Sequence, residues 1–173
     1  MEAIFRVDGA NVVTSPHAAG PWDPNMQHGG APASLVVWAA ERIPTAAPMQ
    51  IARATIDLMR PVPVAPLTIE TEVLREGRKI QLCAVRLYAG GTLTVGATVL
   101  KIKRASSALD FRQWTFLNAD LTVSMAREPV GEWILLDAVS WIGSDGAGLA
   151  MARLADVKGY FGRCAQSLVI ERR

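Results

Sequence analysis

The sequence predicts an α+β fold in which one long helix is wrapped by a strongly curved antiparallel sheet. Three observations carry that expectation. There is a single helical segment that is apolar on nearly every side, a succession of runs alternating with period two, and a repeat of the strand pattern in the second half of the chain. No second helical period separates the strands, which argues against a parallel α/β arrangement.

The helix is expected at about residues 27–43, QHGGAPASLVVWAAERI. Pro32 suits its first turn, Pro44 stops it, and Leu35, Ala39 and Ile43 recur at i+4. Val36, Val37, Trp38 and Ala40 fill the other faces, so the helix needs cover on most sides. A first strand is expected at Ile51, with Ala54, Ile56 and Leu58 alternating against Arg53, Thr55 and Asp57. Leu67–Leu74, Ile80–Tyr88 and Leu93–Ile102 complete four strands after the helix, the last two joined by a Gly90-Gly91 hairpin turn.

The second half repeats this pattern. Gly91, Ala97, Leu100, Ile102 and Arg104 reappear as Gly159, Ala165, Leu168, Ile170 and Arg172 at a constant offset of 68 residues, and Arg60 reappears as Arg127 at 67. Between them, Trp133, Leu135, Asp137 and Val139 alternate with Ile134, Leu136, Ala138 and Ser140, and Ser144-Asp145-Gly146 supplies a turn. The expected units are 1–104, with the helix, and 105–173, a set of strands without one. Such a second unit must borrow cover from the first, from another chain, or from a segment outside this sequence.

Composition limits the functions. With 173 residues, half of them hydrophobic, the chain can bury a core, which excludes a disordered or fibrous protein. The 18 basic and 16 acidic residues leave a net charge of +2, too little to concentrate a polyanion, so no nucleic-acid partner is expected. The apolar stretch Ala33–Ala40, interrupted only by Ser34, is far short of the roughly 20 residues of a membrane span. Glu2, Arg6 and Asp8 stand where a signal peptide is apolar, which leads to a cytoplasmic expectation. Cys83 and Cys164 lie in strand-like runs without metal spacing, as small buried residues rather than a disulfide framework. No G-x-S-x-G, H-E-x-x-H, P-loop or G-x-G-x-x-G motif occurs, and with only His17 and His28 no metal or organic cofactor is expected.

The strings GPWDPNMQHGGAPASLVVWAAER and ATIDLMRPVPVAPLTIETEVLREGRKIQLCAVRLY resemble the N-terminal hotdog of acyl-CoA thioesterase II-like proteins. RQWTFLNADLTVSMAREPVGEWILLDAVSWIGSDGAGLA and GRCAQSLVIERR are similar to the end of their C-terminal hotdog. The resemblance implies a double hotdog, here without the front of the second unit beyond Arg104-Ala105, and hydrolysis of an acyl-CoA thioester. A thioester carbonyl is reactive enough to need only a polarised oxygen and an aimed water.

The resemblance further implies a water-orienting Asp, hydroxyl residue and Gln. They fall at Asp120, at Ser140 (with Trp141 the neighbouring position by spacing) and at Gln166, where the first unit has Thr98. This asymmetry favours the second unit as the active half. A carboxylate takes a proton from water while an amide and a hydroxyl fix its orientation. Residue chemistry alone reads Asp120 equally as an Asx turn after Asn118, and Gln166 as a strand residue with a satisfied amide.

A second element is Gln27-His28-Gly29-Gly30. A helix N-terminus presents free N–H groups and a positive dipole end, and glycine admits a close carbonyl oxygen, so Gly29 and Gly30 are oxyanion candidates and His28 a donor. Against this, Gly-Gly can simply break the chain before a helix, and a lone histidine beside a turn can be structural. The five tryptophans are spread as core or interface residues, Trp38 among the core. Lys101, Lys103 and Arg104 form a basic end suited either to CoA phosphates or to a solvated strand edge.

Two functions of different class follow: thioester hydrolysis by a water held on Asp120 and Gln166, and a non-catalytic acyl-CoA-binding or assembly module. A hydroxyacyl-CoA dehydratase ranks behind both, since no Asp/His pair is evident. Exposed sheet edges lead to the expectation of at least a homodimer.

Overall fold

In the computed structural model, which describes residues 3–103, 114–143 and 147–172, the chain divides into two compact units, Met1–Lys101 and Ile102–Arg173. The Arg104-Ala105 junction and the Ser144-Asp145-Gly146 turn lie outside the described residues.

Unit one opens with two strands that the sequence pattern does not reveal, β1 (Phe5–Asp8) and β2 (Asn11–Thr14). Asp8 pairs with Asn11 across a Gly9-Ala10 turn in which Gly9 takes φ +57°, a conformation glycine adopts without steric cost. Four residues per strand are too few for alternation to register.

After a single 3₁₀ turn at Pro16–Ala18, helix α1 spans Gly30–Glu41, shorter than expected at both ends. The N–H groups of Gln27 and His28 are committed to the carbonyls of Val62 and Ala18, at 2.8 Å each, so neither residue enters the helix. At the other end Arg42 and Ile43 donate to Ala39 and Ala40, at 3.2 Å each, in the tightened last turn before Pro44. Leu35, Val36, Ala39 and Ala40 are buried in a core with Cys83, Val85, Leu87, Val95 and Val99. Ser34 and Glu41 face solvent. Trp38 is half-buried rather than fully enclosed, with the Arg42 guanidinium 3.6 Å above its ring.

Strands β3 (Met49–Leu58), β4 (Leu67–Glu76), β5 (Ile80–Ala89) and β6 (Thr92–Lys103) follow. The sheet order is β1-β2-β4-β5-β6-β3. Gly90 and Gly91 both take positive φ, +54° and +78°, the pairing of signs that a type I′ hairpin requires.

Lys101 corrects the sequence reading of a solvated basic end. Its side chain is buried, and Nζ donates to the Ile43 carbonyl at 2.8 Å. Beside it, Gln81 Nε2 donates to the Pro44 carbonyl at 2.7 Å. Carbonyls at a helix C-terminus are left without intrahelical donors, and a cation there also complements the dipole. Burial pushes the Lys101 ammonium below its ordinary range, partly offset by Cys83, Glu76 and Glu41.

Unit two contains β7 (Trp114–Asn118), β8 (Thr122–Met125), β9 (Leu135–Ile142), β10 (Ala147–Asp156) and β11 (Gly159–Arg172). Their order is β7-β11-β10-β9, with β8 also paired to β11. At the repeat offset this is the order β3-β6-β5-β4 of unit one, with β3 replaced by two shorter strands. Gly159, the counterpart of Gly91, also has positive φ, +99°. Among the described residues unit two has no helix and no counterpart of β1 and β2.

The counterpart of Arg60, Arg127, grips the buried Asp156 with two bonds of 2.7 and 2.8 Å, and the same carboxylate accepts the N–H groups of Val130 and Lys158. The Arg127 hydrogen bonds, helped by the two backbone donors, hold the Asp156 carboxyl far below the ordinary carboxylate range. This ties the chain leaving β8 to the β10–β11 turn.

Candidate functional site

Strand β11 organises the unit-two residues. β7 ends by pairing Asn118 with Leu168, and β8 begins by pairing Thr122 with Ala165. Ala119, Asp120 and Leu121 therefore stand opposite only Gln166 and Ser167, one residue more than the ladder accommodates. An extra residue of this kind bends a strand and re-aims its side chains. The Ala119 N–H bonds to the Ser167 carbonyl at 2.9 Å, and Asp120 Oδ1 accepts the Ser167 N–H at 2.7 Å. Asp120 thus takes the place of a backbone acceptor and is fixed one residue from Gln166. Both residues are half-buried, and Asp120 Oδ2 itself is withdrawn from solvent.

Gln166 pairs with Ala150, and Ala150 with Ser140. The three residues form a row across β11, β10 and β9 on one face, because residues directly opposite in an antiparallel ladder point the same way. Trp141, the other position by spacing, points to the opposite face. Ser140 is exposed and stands two strand spacings, about 10 Å, from Gln166. The structure therefore sets Asp120 next to Gln166 along β11, and leaves Ser140 in line with Gln166 but separated from it by Ala150.

Unit one lacks this arrangement. β3 runs unbroken through Arg53, the counterpart of Asp120 at the offset of 67, and Thr98 stands where unit two has Gln166.

Gln27, His28, Gly29 and Gly30 lie at the start of α1. Gly29 occupies the N-cap position without a side-chain cap. The Gly30 N–H is donated to His28 Nδ1 at 3.1 Å, so it is already engaged, and a Cβ at Gly30 would stand 3.1 Å from that nitrogen. In the neutral ring an accepting Nδ1 leaves the proton on Nε2. Gly29 lines a cavity of about 610 Å³ with Trp22, Gln27, Pro32, Met59 and Arg60. The cavity walls include residues that the sequence did not single out. Their contribution depends on the end of β3 folding back against the loop before α1, where Gln27 Nε2 donates to the Pro63 carbonyl at 2.8 Å.

Residues 18–102 match the model of the acyl-CoA thioesterase N-terminal domain. No curated protein matches the sequence. Among solved structures, a thioesterase II-type protein from Thermobifida fusca YX aligns at 12% identity and a TM-score of 0.50, covering 98% of this chain and 96% of that one. A TesB protein of Mycobacterium avium subspecies paratuberculosis aligns at 14% identity and 0.48, covering 96% and 94%. The acyl-CoA thioesterase II TesB2 of Mycobacterium marinum aligns at 12% and 0.46, covering 98% and 95%. The Thermobifida likeness shows the fold, a hotdog of one helix and antiparallel sheet. Over residues 18–102, the first unit is thus similar to the N-terminal domain of acyl-CoA thioesterases.

Proposed function

We propose that this protein hydrolyses an acyl-CoA thioester with a water oriented by Asp120 and Gln166. The observation that carries the reading is the extra residue between β7 and β8, which ties Asp120 to β11 beside Gln166. The Asp120 carboxylate takes a proton as the water oxygen bonds to the carbonyl carbon, and the Gln166 amide holds that water in line. Collapse of the tetrahedral intermediate breaks the C–S bond, and the CoA thiolate leaves and is protonated to the thiol. Ser140, in the same row, is the candidate hydroxyl. On unit one, the Gly29 end of α1 with His28 is the candidate donor end for an anionic or carbonyl oxygen.

The reading extends to a cytoplasmic protein acting as a homodimer or larger homo-oligomer. Among the described residues no helix is long and apolar enough to cross a membrane.

The test is release of free thiol from a panel of short, long and aromatic acyl-CoAs, comparing the protein with Asp120→Asn and Gln166→Ala. Turnover lost in both variants, with unchanged circular dichroism, supports the mechanism. Acyl-CoA binding without turnover on any substrate overturns it in favour of a binding module.

A further inference from the structure

We propose that one face of the unit-two sheet holds a binding site for a small organic carboxylate, with Arg163 as its anchor and Val139, Met151 and Trp141 as its apolar floor. The site lies on the face opposite to Gln166 and Ser140. It stands or falls by binding alone, whatever the outcome for the hydrolytic reading.

Strand pairing sets the charges of this face side by side. Asp137 on β9 is directly opposite Arg153 on β10, and Arg153 is directly opposite Arg163 on β11. Arg153 is already engaged. It donates to the Asp137 carboxylate through Nε at 3.1 Å and through Nη2, and its guanidinium lies 4.6 Å from the centre of the Tyr160 ring. Arg163 is exposed and forms no ion pair among the described residues. Like charges directly opposite one another destabilise a ladder, so an anion that reaches both guanidinium groups relieves a cost built into the pairing.

The repeat shows what has changed at this position. At the offset of 67, Asp137 corresponds to Glu70 and Arg153 to Arg86, and Glu70 is likewise directly opposite Arg86. In unit one the single arginine is held by two carboxylates, with bonds of 2.9 Å each to Glu70 and Glu72. Unit two has Val139 in place of Glu72. It also has a second arginine, Arg163, in the strand whose counterpart, β6, is uncharged from Thr92 to Leu100. Two carboxylates to one guanidinium have become one carboxylate to two, and a ligand carboxylate restores the balance.

The surroundings select the kind of anion. Asp137, Val139, Trp141, Met151, Arg153 and Arg163 line a cavity of about 230 Å³. Val139 and Trp141 are 54% and 56% exposed, so their apolar surface is open to a ligand. A guanidinium receives a carboxylate through two parallel hydrogen bonds. An inorganic anion would leave the apolar floor wet, whereas the body of an organic acid covers it. The cavity is smaller than the roughly 300–1,000 Å³ of most ligand sites, which limits that body to a short chain or a single ring.

Titration of the isotope-labelled full chain, followed by backbone amide chemical shifts, tests the site with benzoate and hexanoate as probes. Benzamide and inorganic phosphate at the same ionic strength are the controls. The expected result is saturable shifts centred on Val139, Arg153 and Arg163 with both acids, and binding weaker by about tenfold or more for both controls. Arg163→Gln, and Val139→Glu, which returns the second carboxylate of unit one, should each weaken benzoate by about tenfold or more, the loss of a charge-assisted pair. Absence of saturable shifts, equal affinity for benzamide or phosphate, or unchanged benzoate affinity in Arg163→Gln overturns the proposal. If Arg163→Gln does not fold, Val139→Glu decides by the same measure. Shifts centred on Asp120 instead assign the acid to the hydrolytic site and overturn this one.

Discussion

Each unit has its own sheet, and the two sheets repeat the same four strand positions yet use them differently. In unit one, β3, β6, β5 and β4 are joined by β1, β2 and α1, and Leu35, Val85, Leu87, Val95 and Val99 are almost wholly withdrawn from solvent. In unit two, β7, β8, β11, β10 and β9 carry no such helix among the described residues, and β9 is exposed on both faces. The unit with the larger core has an unbroken β3. The unit with the smaller core breaks the equivalent strand and places Asp120 in the break. Regular pairing stabilises a sheet but spends its polar groups on the ladder, whereas an irregularity frees a side chain to be aimed.

The largest expected effect of breaking this contrast is on chemistry. Asp120→Asn is expected to lower thiol release by about 100-fold to 10,000-fold, the range for loss of a general base. Thr98→Ala, at the unit-one counterpart of Gln166, should leave the rate within about twofold, equivalent to about 0.5 kcal/mol or less. Steady-state kinetics on folded variants checks both, and an equal loss in Thr98→Ala would remove the distinction between the units.

Stability separates them next. Leu35→Ala in α1 leaves a void in a closed core and should cost about 2–5 kcal/mol. Leu149→Ala on β10, where the side chain is already 37% exposed, should cost less than about 1 kcal/mol. Urea denaturation followed by tryptophan fluorescence measures the difference.

A smaller effect depends on pH. The Asp156 carboxyl is held well below its unfolded value by Arg127 and two backbone N–H groups. Its stabilisation is therefore complete above an ordinary carboxylate pKa of about 3.9, and is lost as pH falls from there towards the depressed native value. Asp156→Asn should reduce the melting temperature at neutral pH and flatten its decline below about pH 4. Melting curves from neutral pH into acid check the slope, and parallel curves for the two proteins would exclude Asp156 as the titrating group.

Much of unit one is legible from residue types because its signals are local. Pro32 and Pro44 bracket the helix, and Gly90-Gly91 announces a hairpin by the φ values that only glycine takes freely. What the sequence hid depends on distance in the chain. Lys101 reads as a solvated strand end until β6 sets it against the last turn of α1, 58 residues away. The β1–β2 hairpin is too short to show its period. Asp120 and Gln166 are visible as residue types, but the extra residue between β7 and β8 exists only relative to the register of β11. Ser140 shows the same limit, since a count of residues cannot tell which of two neighbours faces Gln166, while strand pairing can.

The tight turns that close β5 on β6 and β10 on β11 also give the fold a history. Hairpins with short loops form in about 1–10 μs, while contacts between distant residues wait on the closure of a long loop. The hydrogen bond from Ser167 to Asp120 spans 47 residues, whereas Asp156 and Gly159 meet across one turn. In unit two the β10–β11 hairpin is therefore expected to gain protection from hydrogen exchange early during refolding, and the segment bearing Asp120 to gain it late. The candidate catalytic carboxylate would be among the last groups to reach its place, so the onset of activity would report completion of the unit rather than its collapse.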